Sequence, residues 1–257
     1  MINQSKQPAR LYFHYTLFAL LLFIFIKPLC ISAQETRVKH QEDLLLLISN
    51  TDSILGADDE LINGVIYIQE NLFASGHPFF LNSEWIEGSV TVNRKKHDGL
   101  FIKYNINTDE LIIRAERKRG GTPVITLNNE FIDNFYLGDR YFVNSMNFEV
   151  KGIQTDFVEQ LYLGSFAFYV SYSKLFNNDY NNKTPYGSYA KTTASYYLMQ
   201  NDVITNIASK KALFNYFEPY KKDIKRFMKR NKIKYNKASS SQLYDLMQYC
   251  DQLTTKR

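Results

Sequence analysis

The chain has 257 residues, 45% of them hydrophobic and 15% aromatic. That excludes a disordered chain and leaves ample length for one large core. The formal net charge of +5 is unevenly laid out: residues 34–209 carry 15 basic and 22 acidic side chains, residues 210–237 carry 11 basic and 2 acidic. The protein is an acidic body with a basic segment, not a generally basic chain.

Residues 1–33 read as a cleavable signal peptide. Lys6 and Arg10 form a positive start, Leu17 to Ile26 is an unbroken apolar run, and Ile31-Ser32-Ala33 puts a small residue before Gln34. Ten residues are too few to span a bilayer core of about 30 Å as a helix. An uncleaved anchor would need Leu11 to Ile26 with its flanks. Lipidation at Cys30 lacks the small-residue context before the cysteine. The sequence thus predicts an exported protein, periplasmic, outer-membrane-associated or secreted. Cys250 is then the one remaining cysteine, which excludes an internal disulfide. It lies on an apolar helical face and reads as a core residue.

Residues 34–208 predict an antiparallel β domain. The Leu44 to Ile48 run after the signal fits a short helix or a strand. Val65 to Ile68 is strand-like, and Gly88 to Asn93 alternates. Leu100 to Ile106 and Leu111 to Ala115 flank the polar Asn107-Thr108-Asp109-Glu110, a hairpin signal. Lys118 to Gly121 predicts a turn, with Val124 to Leu127 returning. Further hairpins are predicted at Gly138-Asp139, Gly164-Ser165 and Gln200-Asn201-Asp202. Residues 177–193 read as a polar loop with an Asn182-Lys183-Thr184 glycosylation sequon. Short strands at regular spacing point to a sandwich, half-barrel or barrel.

Residues 209–257 predict a basic helical segment packed on that domain, with two helices. Ser209 is an N-cap, and Leu213, Phe217, Tyr220, Ile224 and Phe227 make one apolar stripe, which Pro219 kinks or splits. Asn231 ends it. After Ser239-Ser240-Ser241, Leu243, Leu246, Met247, Cys250 and Leu253 make a second stripe.

Several pieces recur in a set order: Asn63 to Tyr67, Gly76-His77-Pro78-Phe79-Phe80, Trp85 with Gly88-Ser89-Val90, and Leu100 to Ile106 leading to Asp109-Glu110-Leu111-Ile112. In this the chain resembles a family of uncharacterised secreted β-rich proteins of the Bacteroidetes type, over about residues 60–253. The resemblance implies export and a compact β unit, and no activity. The Asn-rich loop 177–184 departs from it.

Chemistry-bearing motifs are scarce. His40, His77 and His97 show no metal-ligand spacing, and no HExxH, GxSxG, phosphate-binding loop or dinucleotide fingerprint occurs. No metal, cofactor or catalytic residue is therefore expected. His77 reads as a turn residue and His97 as a solvated loop residue. Glu149 with Glu159 is one of many possible carboxylate pairs, and Asp58-Asp59-Glu60 reads as a solvated turn. Two surfaces stand out. Tyr180, Tyr186, Tyr189, Tyr196 and Tyr197 cluster with asparagines, which suits a sugar or protein partner. Lys221, Lys222, Lys225, Arg226, Lys229 and Arg230 lie largely off the apolar stripe and read first as the solvated face of a helix docked on the β body, and otherwise as a face for an envelope protein or other anionic surface; nucleic acid is a poor partner for an exported protein. The leading expectation is a non-enzymatic envelope protein, a binding or structural module. The alternatives are a carrier of a hydrophobic ligand such as a lipid, and a hydrolase with an unrecognised site.

Overall fold

The structure is a computed structural model that describes residues 64–114, 123–148 and 152–255. The signal region, Leu44 to Ile48, Asp58-Asp59-Glu60, Lys118 to Gly121 and Glu149 lie outside them. The fold is mainly β, with one large antiparallel sheet and three helices towards the C-terminus. The strands are β1 (Val65–Ile66), β2 (Ile86–Val92), β3 (Lys95–Asn105), β4 (Glu110–Arg114), β5 (Val124–Thr126), β6 (Ile132–Leu137), β7 (Arg140–Asn144), β8 (Phe157–Leu163), β9 (Ala167–Ser173), β10 (Phe176–Asn177), β11 (Ser188–Tyr189), β12 (Thr193–Gln200) and β13 (Val203–Asn206). Eleven form the sheet in the order β1-β5-β4-β3-β2-β6-β7-β8-β9-β12-β13, while β10 and β11 pair separately.

Local chemistry sets the turns. Asn201 and Asp202, both at positive φ, close β12–β13 as a tight two-residue loop. Gly138 at φ 63° serves β6–β7. Asn93 and Arg94 do the same for β2–β3, held by Asp133, whose carboxylate accepts from the Arg94 amide at 2.6 Å. This moves His97 from the expected loop into β3, opposite Val90. Residues 177–193, expected as loop, hold the second residue of β10, all of β11 and the first residue of β12. Gly88 sits where a Cβ would meet the Tyr136 carbonyl oxygen at 2.0 Å, so the close approach of β2 and β6 requires glycine.

The sheet is strongly curled. A flat sheet would separate β3 from β8 by four strand spacings, about 19 Å. Yet the rings of Tyr104 on β3 and Phe157 on β8 have centroids 5.9 Å apart. Phe80, Phe135 and Phe142 pack into the same interior, with Phe135 and Phe142 stacked at 4.7 Å. The concave side of this half of the sheet is therefore filled by aromatic rings.

The other half is covered by helices. α1 (Lys210–Tyr216), α2 (Lys221–Arg230) and α3 (Ser240–Thr255) bury Leu213, Phe217, Ile224, Met228, Leu243, Leu246 and Met247 against Phe168, Val170, Tyr196 and Leu198 of β9 and β12. Three helices stand where two were expected, because Pro219 splits the first and a 3-10 turn, Glu218–Tyr220, joins the pieces. In α2 the fully buried residues are Ile224 and Met228, with Phe227 half-buried against the same layer and stacked on Tyr249. Ser209 caps α1, its hydroxyl accepting from the Ala212 amide at 3.1 Å. Ser239 and Gln242 form a reciprocal capping box on α3. Cys250 is fully buried in this layer, and burial pushes its thiol up to about 12.

Candidate functional site

Several buried polar groups are committed to holding the fold. Glu159 on β8 is only 3% exposed and takes both its oxygens to Arg140 on β7, at 2.7 and 2.6 Å. Arg140 also donates to the Tyr172 hydroxyl and to Ser240 Oγ at the start of α3, and its guanidinium lies over the Phe80 ring. The pair thus ties helix, sheet and interior together. Glu149, named with Glu159 as one possible carboxylate pair, lies outside the described residues. Asp109 accepts from the Tyr104 hydroxyl at 2.5 Å and from the Asp156 amide, locking the β3–β4 turn onto the start of β8. Burial pushes the Asp109 carboxyl up, although those hydrogen bonds pull the other way. Asp251 on α3 accepts from Tyr162, from the Ser165 amide and from the Ser165 hydroxyl, fixing α3 to the β8–β9 turn.

Lys174, just after β9, is 9% exposed and donates to the carbonyls of Phe79 at 2.7 Å and His77 at 3.1 Å. Burial lowers its pKa. It anchors the Gly76 to Phe80 segment against the sheet. His77 itself lies on this segment, its ring stacked near Phe79, and burial and Lys174 lower its pKa.

The five tyrosines do not form one patch. Tyr196 and Tyr197 are neighbours on β12, so their side chains point to opposite faces. Each is 6% exposed, Tyr196 under the helices and Tyr197 against Val158 and Tyr169 on the other face. Both are core residues, a correction to the expected surface. Tyr180 (65% exposed) and Tyr186 (59%) remain at the surface, with Tyr186 beside Phe73 at 5.5 Å. Tyr189 is half-buried on β11, packed on Phe176. On α2, Lys222, Lys225, Arg226, Lys229 and Arg230 are exposed and Lys221 is half-exposed.

Tyr189 borders a cleft of about 550 Å³. One wall is β1 with Tyr67 and Glu70, the floor is the β3–β4 turn with Asn105, Asn107 and Glu110, and the far side is Asn128 after β5. Internal hydrogen bonds fix these groups. Asn105 Oδ1 accepts from the amides of Asn107 and Thr108, Asn107 Nδ2 donates to the Lys174 carbonyl at 2.9 Å, and Asn128 Oδ1 accepts from the Glu130 amide. Burial, then Tyr189, Glu110 and Glu70, push the Tyr67 hydroxyl up to about 12. It is a neutral phenol at physiological pH, able to donate and accept. Exposed Val65, Ile66 and Ile68 edge the cleft, with Leu72 and Phe73 exposed in the segment that follows. Tyr67, Glu70, Asn107, Glu110 and Asn128 were not singled out from the sequence as site residues. They come from separate segments, and no local spacing marks them as one site.

Comparison of the chain with protein-family models, with curated proteins and with solved structures finds no match. Among the described residues, no group of three or more His, Cys, Asp or Glu is placed to hold a metal ion, and no helix is long and apolar enough to cross a membrane.

Proposed function

We propose that the protein is an exported envelope protein that works by binding, not by catalysis, and that its ligand site is the cleft beside β1. The ligand class that fits is a hydroxyl-rich chain, a glycan. The observation that carries this reading is the lining itself. Fixed amides of Asn107 and Asn128, the carboxylates of Glu70 and Glu110, and the phenols of Tyr67 and Tyr189 converge on one open cleft. Planar amide and carboxylate groups match vicinal hydroxyls, and tyrosine rings match the apolar faces of sugar rings. Two further observations support binding. The interior is filled by rings, and Glu159, Asp251 and Lys174 are engaged in structural hydrogen bonds. Export is supported by the signal-like residues 1–33 and by the resemblance to secreted β-rich proteins; the intact mass of envelope-derived protein should lack residues 1–33, and a mass that retains them refutes cleavage.

The test of the site is binding to a panel of purified bacterial glycans. The wild-type chain should bind at least one. Tyr67→Ala and Glu70→Ala should abolish or weaken that binding while the thermal midpoint stays within a few degrees. Binding that is indifferent to both substitutions, or hydrolysis of a glycan, overturns the reading.

A further inference from the structure

We propose that a lysine-lined groove at the C-terminal end of α2 binds a compact polyanion carrying two or more phosphate groups. The groove, of about 450 Å³, is lined by Lys210, Lys225, Lys229, Lys232 and Lys234, with the buried Met228 and Ile233 also contributing to its wall. It lies outside the cleft described above and does not depend on it. No lining residue is acidic.

The convergence is built by the backbone. Lys225, Lys229 and Lys232 recur at intervals of four and three, which puts them on one side of α2 and its continuation. The helix then ends in a Schellman turn: the Ile233 amide donates to the Met228 carbonyl at 2.9 Å and the Lys232 amide to the Lys229 carbonyl at 3.3 Å. The residue at the left-handed position of that turn is Lys232, at φ 53°, where glycine is the unstrained choice. The turn brings Lys234 back to the groove that Lys229 lines. From the other side, Lys210 and Lys225 each hold Nζ 5.4 Å from the centroid of the same Phe214 ring, so one aromatic side chain on α1 orients both.

A solvated lysine face needs no such arrangement. Lysines on an exposed helix lower their mutual repulsion by spreading apart or by alternating with carboxylates. Here a 28-residue stretch with 11 basic and 2 acidic residues folds so that five exposed lysines line one groove with no acidic residue among them. An anion with several closely spaced charges neutralises them together. Lysine suits phosphate as a mobile point charge with three donors. The modest volume suits a small cluster of phosphates, such as a polyphosphate or the headgroup of a bis-phosphorylated lipid.

The test is titration calorimetry of the full chain with inorganic tripolyphosphate and with inorganic monophosphate. The triple variant Lys225→Gln, Lys229→Gln, Lys234→Gln removes groove charge. The control triple Lys211→Gln, Lys222→Gln, Lys237→Gln removes the same charge from outside the groove. Tripolyphosphate should bind more tightly than monophosphate, and the groove variant should lose about tenfold or more in affinity while the control retains it. Circular dichroism checks that both variants are folded. Phosphatidylcholine vesicles containing cardiolipin separate the sources. Capture of the wild-type chain but not the groove variant assigns a lipid headgroup; capture of neither assigns a soluble polyphosphate. The proposal is overturned if tripolyphosphate does not bind, if both triples weaken it equally, or if cardiolipin vesicles capture wild type and groove variant alike.

Discussion

Arg140 and Glu159 show how one residue pair sets the tolerance of this fold. Glu159 is buried with its charge satisfied by a two-pronged hydrogen bond from Arg140. Arg140→Met strands that carboxylate, and loss of one partner of a buried pair costs about 3–5 kcal/mol. Arg140→Met should therefore lower the urea midpoint sharply, and adding Glu159→Leu should restore most of it. Failure of the second change to rescue the first would mean that Arg140 acts mainly through Tyr172, Ser240 and Phe80. Asp251 gives a pH-dependent counterpart. Burial raises its carboxyl, but hydrogen bonds from Ser165 and Tyr162 outweigh that and hold it below its ordinary 3.8. A depressed folded value means stability that is present above the ordinary pKa and lost as pH falls through the folded one. Asp251→Asn should be less stable than wild type at pH 7, and the gap should narrow as pH drops below 3.8. Urea midpoints measured from pH 7 down to pH 3 (about the acid limit of such carboxylates) check this; a gap that stays constant contradicts it. Neither network was visible in the sequence, because Arg140 meets Glu159 only once β7 pairs with β8, and Ser240 and Asp251 reach Arg140 and Tyr162 only when α3 docks.

At the scale of elements, turn chemistry decided what could be read in advance. Gly138-Asp139 and Asn201-Asp202 carry residues that favour positive φ, and their hairpins were legible. Asn93-Arg94 makes a turn of the same kind, but arginine gives no turn signal, so the first five residues of β3 were missed. The helical stripe was legible because spacings of three and four residues survive in any context. Met228 lies outside the expected stripe but is buried beside it, while Tyr220 and Phe227 of the stripe are half-buried against the same core. The stripe governs stability. Ile224 is fully buried, a burial that contributes about 1.5–3 kcal/mol, whereas Lys222 is exposed and screened. Ile224→Asp should unfold or detach α2, adding a buried charge to the lost contacts. Lys222→Glu should leave the urea midpoint nearly unchanged at low and high salt. A neutral Ile224→Asp with a severe Lys222→Glu would show that the charged face, not the stripe, holds the helix in place.

For the described unit as a whole, aromatic rings fill the interior, and Tyr196 and Tyr197 of the five tyrosines expected at a surface are among the buried ones. Phe80, Tyr104, Phe135, Phe142 and Phe157 fill the curled half, and Tyr196 joins the helices. Composition does not distinguish a tyrosine in a core from one at a surface; alternation along β12 does, once its register is known. The β class was legible from short alternating segments, whereas the curl was not, because it depends on contacts four strands apart. The candidate cleft was hidden for a related reason: strand pairing brings residues 64–70, 105–110 and 126–128 together, and Tyr189 of the separate β10–β11 pair joins them through the hydrogen bond from its amide to the Ser75 carbonyl at 2.9 Å. Its position at the margin of a filled β unit is the reason for reading the protein as a binder. The most direct test is amide chemical-shift mapping of the isotope-labelled protein with a glycan it binds. Shifts should concentrate at Tyr67, Glu70, Asn107, Glu110, Asn128 and Tyr189, with Phe135, Phe142 and Phe157 unmoved. Shifts concentrated among those interior phenylalanines, or along α2 alone, would contradict a ligand site at the cleft.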